Sequence, residues 1–405
     1  MSTIQEARRN PTARGWLDGS TTLTEFSRRL FGHLPRADQQ RWGHLYLQGL
    51  LDTPGKKSVR RMAEAVAASP TAHQSLQQFV SASPWDWEIP RGELLRWVAG
   101  RLSTRAWTLA PAVLPKRGDH SVGVHRRFVR EQGRTLNCQL GLAVLLSHGD
   151  VHVPVDWRLH LPERWAGDRA VRRRARVPEA TRPQPLWAQA LELVESLAAR
   201  PGVVPAPVVA DLTALMDIRP LVERLSGQGH GFLLGVDGHL PLAVGRRAPR
   251  ALHEPAAPVS ARQLLLQVGI RHPEVALAAG PDGHPRRLHV VSSPAEIPAL
   301  RPDGSRVSSP GRVFAEWDAT HRRLGRIWLT NLADRRMSEL LSLAAASAGA
   351  RTTIGTLGEH YGLLDFEGRS FPGWHRHTTL VAAAYAYALL SGAPAAAATA
   401  PLAAA

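Results

Sequence analysis

The chain has 405 residues with 44% apolar content, so it can bury the cores of two or three folded domains. Its 50 lysines and arginines outnumber 34 aspartates and glutamates, and the net charge of +16 favours polyanionic partners, nucleic acid first, although a GC-rich genome would also enrich arginine. The single cysteine, Cys138, excludes an intramolecular disulfide and a cysteine-based zinc site.

The first ten residues are polar and lack the apolar core of a secretion signal. No run of about 18 uncharged apolar residues precedes the tail at 393–405, which is Ala/Pro-rich and predicted to be disordered. We therefore expect a cytoplasmic protein with no membrane partner.

Residues 1–103 are predicted to form an all-helical DNA-binding domain, because short amphipathic stretches alternate with proline and glycine. Within 55–62, Val59 and Met62 lie three residues apart and therefore share one helix face. The basic residues of this segment can then face outward near a helix N-terminus, where they either bind phosphate or are simply solvated. They are Lys56, Lys57, Arg60 and Arg61.

From residue 104 the pattern changes to strands. The stretch 107–114 is apolar on both faces, as in a buried strand, but Pro111 cannot donate to a sheet ladder. The next predicted elements are strands at 137–148 and 151–161, both antiparallel neighbours of the first strand, a helix at 185–200, a strand at 207–211, a helix at 217–225 and a strand at 230–236. This order is that of an RNase H-like core, an α/β fold with a mixed five-stranded sheet.

Residues 238–321 carry many prolines, glycines and arginines without a sustained helix or strand period. We predict an irregular insertion there, with one short helix at 260–267 and a strand at 289–291. Regular patterns return with a strand at 325–331 and a long helix from about Asp334. The predicted core is therefore divided into residues 104–237 and 322–392.

A series of short motifs lies between about residue 40 and residue 390. They are Y-L-Q-G-L-L at 46–51, K-S at 57–58, S-P-W-D at 83–86, P-K-R-G at 115–118, H-S-V-G-V at 120–124, N-C-Q at 137–139, D-W-R-L at 156–159, L-P-E at 161–163, V-A-D at 209–211, G-L at 362–363, E-G-R-S at 367–370 and G-W-H at 373–375. Taken in this order, they resemble the motifs of bacterial insertion-sequence DDE transposases, most closely those of the 701 group.

The resemblance implies DNA cleavage and rejoining by two divalent ions, such as Mg²⁺, held by three carboxylates. The second carboxylate of the family matches Asp211. The first belongs to an Asp-Asp-Thr that corresponds here to Ala110, Pro111 and Ala112, and ungapped counting places the third, a glutamate in an Arg-Trp-x-Ile-Glu helix, on Arg351. Two of the three carboxylates are absent by this alignment, so we expect no metal cofactor and expect Ala110, Asp211 and Arg351 to converge.

Three functions remain open on these grounds. The first is a cleavage-deficient, transposase-derived protein that binds double-stranded DNA and retains Asp211 as a catalytic relic. Such a protein would be a domesticated, nucleoid-associated regulator, and a homo-oligomer is compatible with this function. The second is an active DDE transposase that uses Mg²⁺ at an unusual site, and the third is a protein-interaction scaffold. For the first, the candidate DNA contacts are Lys56, Lys57, Arg60, Arg61, Lys116, Arg117, Arg172, Arg173 and Arg174.

Overall fold

The computed structural model describes residues 21–67, 69–244, 258–267, 273–279 and 284–392. The polar segment 1–10 and the predicted Ala/Pro tail at 393–405 lie outside these residues. Within the described ranges, no helix combines the length and apolar character needed to span a membrane.

The described residues up to residue 99 contain five helices. They are α1 (Leu23–Phe31), α2 (Ala37–Asp52), α3 (Val59–Val66), α4 (Ala72–Ser81) and α5 (Glu88–Ala99). Helix α1 begins at a capping box, in which the Thr22 hydroxyl accepts a hydrogen bond from the Glu25 amide and the Glu25 carboxylate accepts one from the Thr22 amide. Buried aromatic rings such as Phe26 and Trp97 join the helices. The predicted helical character of this region is confirmed.

Twelve strands in the described residues form one mixed sheet. They are β1 (Ala106–Pro115), β2 (His125–Val129), β3 (Arg134–His148), β4 (Val151–Leu159), β5 (Val208–Ala210), β6 (Phe232–Val236), β7 (Pro241–Val244), β8 (Val259–Ser260), β9 (Glu274–Ala279), β10 (Pro285–Leu300), β11 (Arg306–Asp318) and β12 (Arg323–Thr330). The order is β2-β3-β1-β5-β6-β12-β11-β10-β7-β8, with β4 paired to β3 and β9 paired to β10. The pairs β1–β5 and β5–β6 are parallel, and the other described pairs are antiparallel.

The first strands of the sheet lie where the apolar runs predict them. Strand β3 pairs antiparallel with β1, as expected. Strand β4 pairs with β3 and not with β1, so the expectation that both strands neighbour β1 is wrong. The reason is that β5 occupies the other edge of β1 in a parallel pairing.

Within the described residues, the region 238–321 consists mainly of strands, in contrast to the predicted irregular insertion. Its long strands β10 and β11 form an antiparallel pair, and β11 continues through β12 to β6, so the sheet extends well beyond five strands. In β10 the buried residues Ala295, Ile297 and Ala299 alternate with exposed or half-exposed positions. The strand period is therefore present, but small side chains and intervening prolines conceal it in the hydropathy pattern.

The remaining helices are α6 (Glu163–Gly167), α7 (Arg169–Ala175), α8 (Leu186–Ala198), α9 (Arg219–Gly227), α10 (Ala261–Gln267), α11 (Met337–His360) and α12 (Phe371–Leu390). Helix α11 contacts β1, β4 and β5, whereas α12 contacts β4 together with α2, α4 and α5. Because α12 is buried along most of its length, it joins the helical region to the sheet. One hydrophobic core includes residues of both the helical region and the sheet.

A buried cluster of charges also connects the helical region to the sheet. Arg91 of α5 donates to the Asp156 carboxylate of β4 at 2.7 Å, and Arg158 donates to the same oxygen at 2.9 Å. Arg91 further donates to the Thr379 hydroxyl of α12 at 3.1 Å. Asp156 is therefore the shared anion between two arginines that are largely withdrawn from solvent.

We predict that Asp156→Ala lowers the free energy of unfolding by about 3–5 kcal/mol, because it leaves two guanidinium groups facing each other without their common carboxylate. Guanidinium chloride denaturation measures this change. Glu64→Ala, which removes the exposed i,i+4 partner of Arg60, is the matched control and should cost less than about 1 kcal/mol. Equal losses in the two variants would contradict the prediction.

Candidate functional site

The sheet has a gap beyond the short strand β5. The last β1–β5 pair joins Leu109 to Ala210, and β1 then continues to Pro115 without a β5 partner. A cavity of about 990 Å³ opens at this point, lined by β1, β10, β11, β12 and α11. Asp211, the residue directly after β5, lies in it.

Pro111 is tolerated in β1 because of this gap. The Trp107 amide donates to the carbonyl of Pro207 just before β5, whereas the Lys116 amide donates to the Asn137 carbonyl of β3. Amides alternate along a strand, so the nitrogen of residue 111 faces the edge that β5 has already left. A proline there interrupts no ladder hydrogen bond.

Two arginines bind the Asp211 carboxylate. Arg326 of β12 donates to Oδ1 and also to the Thr213 hydroxyl, and Arg351 of α11 donates to Oδ2 at 3.4 Å. Thr213 in turn donates to Asp211 Oδ1 at 3.1 Å. The Asp211 side chain is 11% exposed, so both of its oxygens are held by cations in a largely buried position.

A glycine makes room for this ion pair. A Cβ atom on Gly235 of β6 would lie 2.9 Å from Asp211 Oδ1 and 3.2 Å from Arg326 Nε. Strand β12 pairs with β6 so that Trp328 is opposite Gly235, which places Arg326 and Gly235 on the same side of the sheet. The close approach of carboxylate and guanidinium therefore depends on the missing side chain at residue 235.

Helix α11 contributes small side chains to the cavity. Ala344, Ala345, Ser347 and Ala348 line it, one to two turns before Arg351. By the ungapped alignment, Ser347 and Ala348 stand where the resembled transposases have arginine and tryptophan. These small side chains leave part of the cavity volume open.

The first expected carboxylate is absent from the cavity. Ala110 follows Leu109 on β1 and is fully buried, while Pro111 lines the cavity wall. Because Leu109 pairs with Ala210, the next residues of the two strands, Ala110 and Asp211, are neighbours at the sheet gap. Asp211 thus contacts Arg351 and follows the last residue of the strand beside Ala110, with a single carboxylate among these three positions.

The charged side chains that line the cavity do not fit a two-metal centre. They comprise the carboxylates of Asp211 and Glu316 and the guanidinium groups of Arg286, Arg326 and Arg351. Mg²⁺ requires several oxygen ligands, but two cations already bind Asp211. Across the described residues, no group of three histidine, cysteine or acidic side chains could hold a metal ion.

Sequence patterns did not identify Arg326, Arg286 or Glu316 as site residues. All three belong to strands β10 to β12, and their approach to Asp211 depends on the pairing of β12 with β6. The predicted strand at 325–331 was the available signal, because an arginine at its start can reach the carboxyl end of a neighbouring strand. Because residues 238–321 were interpreted as an irregular insertion, Arg286 and Glu316 were not assigned to strands that reach the site.

Three of the nine candidate DNA contacts are at least partly buried and have structural partners instead. Lys57 is buried, and its ammonium group donates to the Thr53 carbonyl, so the expectation that it faces outward is wrong. Lys116 is half-buried and donates to the Phe366 carbonyl at 2.6 Å, and burial lowers the pKa of Lys116 to about 8. Arg172 donates to carbonyls of the loop after α7, at Pro178 and Thr181. In each case the chain folds back over the cation.

Six candidate contacts remain on the surface. They are Lys56, Arg60, Arg61, Arg117, Arg173 and Arg174. Lys56 forms an exposed salt bridge of 3.0 Å with Glu367, and Arg60 forms one of 3.1 Å with Glu64. Exposed pairs of this kind are weak and screened by salt, so these cations remain able to exchange partners.

The histidines at the start of α12 are structural. His377 shares hydrogen bonds of 2.9 Å with the Tyr46 hydroxyl and with the Gly362 carbonyl, and His375 stacks on Trp87. Both rings are buried. Burial lowers the pKa of His377 to about 3 and that of His375 well below its usual value. Both rings therefore help to hold the helices together in their neutral form.

A family model described as "DDE superfamily endonuclease" matches residues 29–273, which is more than half of the chain. The matched stretch contains β1, β5 and Asp211 and ends before β12 and α11, the elements that carry Arg326 and Arg351. No curated protein matches the chain.

Arg326 should hold Asp211 more strongly than Arg351 does. Arg326→Met is predicted to lower the free energy of unfolding by about 1–3 kcal/mol, because Asp211 and Thr213 both lose their donor. Arg351→Met should cost less than about 1 kcal/mol, because its pair is longer and 49% of its side chain is exposed. Chemical denaturation, with Asp211→Asn completing a double-mutant cycle, measures both. A larger loss for Arg351→Met would refute this ranking.

Acid should destabilise the protein through His377. A neutral buried histidine contributes stability that is present above pH 6.5 and is lost as the pH falls toward its folded pKa of about 3. Between pH 6.5 and 5, the wild type should therefore lose about 2 kcal/mol more unfolding free energy than His377→Gln. Urea titrations at both pH values measure this, with exposed His120→Gln as the substitution control. Parallel losses in wild type and His377→Gln would contradict it.

Proposed function

The chain belongs to the DDE superfamily endonucleases, and we propose that it is a transposase-derived protein that binds double-stranded DNA without cutting it. The observation that carries this proposal is the pair of salt bridges from Arg326 and Arg351 to Asp211. They occupy the position where the resemblance to the 701 group expects a carboxylate to coordinate metal. We also propose that, within this superfamily, the chain is most similar to the 701 group of insertion-sequence transposases.

We propose further that β1 and β3 to β6 form an RNase H-like core. Its support is that β1, β3, β4, α8, β5, α9 and β6 follow in this order along the chain, with β2 and the short helices α6 and α7 between them, and that β4-β3-β1-β5-β6 are adjacent in the sheet. In this division, residues 1–103 are the helical DNA-binding domain, 104–237 and 322–392 are the core, and 238–321 is a stranded insertion.

The chemistry of the cavity supports binding over cleavage. Two-metal hydrolysis needs ions that stabilise both the attacking and the leaving oxygen. Here three guanidinium groups and two carboxylates line the cavity, so the local charge attracts anions and repels divalent cations. The nearby carboxylates Glu359 on α11 and Asp119 after β1 are exposed and do not line the cavity.

The exposed basic residues supply a means of binding DNA phosphates. Arg60 and Arg61 lie at the start of α3, and Arg173 and Arg174 lie on α7. Binding through such contacts releases counterions and is therefore sensitive to salt. A DNA-binding protein that does not cut is suited to regulation near its own sites, and nucleoid association and self-assembly are further predictions of this proposal.

We expect the protein to bind duplex DNA and to leave supercoiled plasmid intact in Mg²⁺ or Mn²⁺. Affinity should fall roughly 10³-fold between about 50 and 200 mM salt if six phosphates are contacted. Arg60→Ala should reduce the slope of log affinity against log salt by about 0.9. Arg335→Ala removes an arginine with the same type of i,i+4 pair outside the candidate surface and should leave the slope unchanged. Fluorescence anisotropy and plasmid nicking measure these outcomes.

Calorimetric titration with Mn²⁺ tests the loss of the metal centre directly. The unmodified protein should give no binding isotherm attributable to Asp211. A variant combining Ala110→Asp, Arg351→Glu and Arg326→Ala restores carboxylates and removes both cations, so it is the positive control. Nicking or Mn²⁺ binding by the unmodified protein that Asp211→Ala abolishes would establish the active transposase, and failure to bind any DNA at low salt would favour the scaffold.

A further inference from the structure

An exposed aromatic side chain marks a surface outside the candidate contacts discussed so far. Phe128 of β2 is 58% exposed. Among the exposed large hydrophobic side chains of the described residues, it is the only aromatic one. It lies on the β-hairpin formed by β2 and β3, at the end of the sheet.

Two arginines flank this ring along the hairpin. Arg126 lies two residues before Phe128 and therefore points to the same face of β2, and Arg130 lies in the turn of the hairpin. Arg134 pairs with Val129 and therefore belongs to the opposite face. Arg126 and Arg130 are exposed, and across the described side chains neither has a carboxylate within salt-bridge distance, in contrast to Arg60 or Arg335. The patch is therefore cationic and aromatic.

The hairpin is anchored and borders the cavity. Arg127, which points to the opposite face from Phe128, donates to the Leu215 carbonyl at 3.1 Å. Val129 and Gln132, from the end of β2 and the turn, line the same cavity as Asp211. Phe128 therefore projects from the face of the hairpin that is turned away from the cavity.

We propose that the hairpin surface of Arg126, Phe128 and Arg130 binds DNA that contains an unstacked base, with the base on the Phe128 ring and backbone phosphates on the arginines. This inference rests on the proposed DNA-binding function and specifies the form of DNA. A base inside an intact duplex has both faces covered by its neighbours, so the exposed ring can stack only on a base at a gap, a fork or a single strand. Aromatic rings next to cationic grooves recognise single strands in this way.

The test compares a duplex containing a gap of about six nucleotides with an intact duplex of the same sequence. Fluorescence anisotropy should show that Phe128→Ala weakens binding to gapped DNA by about tenfold while changing duplex binding little. Phe128→Tyr, which keeps the ring, should bind as the wild type does. Val204→Ala, at an exposed apolar residue that precedes β5, is the matched control and should have no effect.

The arginines provide a second, independent readout. Arg126→Gln together with Arg130→Gln should lower the salt slope on gapped DNA by about 1.4, since each single-strand phosphate contact contributes about 0.7. Equal binding of gapped DNA by wild type and Phe128→Ala would overturn the inference while leaving DNA binding intact. Absence of binding to either DNA by the wild type would overturn the proposed function and this inference together.

Discussion

The carboxylate of Asp211 and the two arginines that bind it form the contact on which the centre of this molecule depends. Strand β5 is only three residues long, so the sheet is open beyond Ala210. Arg326 comes from β12 and Arg351 from α11, and both reach into this gap from elements more than 100 residues further along the chain. The ion pairs therefore join the last part of the fold to the first strands at the place where the β1–β5 pairing has ended.

The same contact gives this position the opposite ion preference from that expected of a DDE centre. A carboxylate cluster concentrates divalent cations, whereas a carboxylate neutralised by two guanidinium groups does not. Gly235 allows the close approach, and the small residues of α11 leave space beside it. The cavity is thus compatible with anionic ligands, among which the DNA backbone is the one that the chain's net charge of +16 favours.

Local patterns predicted the elements whose burial depends on apolar runs, including β1, β3 and the helices before residue 100. Of β10 they predicted only residues 289–291, because three of its seven buried positions are alanine or serine. Arg326 could not be assigned to the site without the pairing of β12 with β6, which is a long-range register. The burial of Lys57 likewise depends on a loop 300 residues away, whose Asp365 accepts a hydrogen bond from its amide at 2.7 Å. Neither contact can be predicted from the spacing of residues along the chain.

Three lysines in or beside the sequence motifs make structural contacts. Lys56, Lys57 and Lys116 all contact the loop between α11 and α12, at Glu367, Asp365 and Phe366 respectively. Arg351, which the alignment places at the third carboxylate, in contrast lines an open cavity with 49% of its side chain exposed, so a change of charge there disturbs little apolar packing. The proposed loss of cleavage therefore requires no loss of the fold, and the basic surfaces proposed to bind DNA can remain.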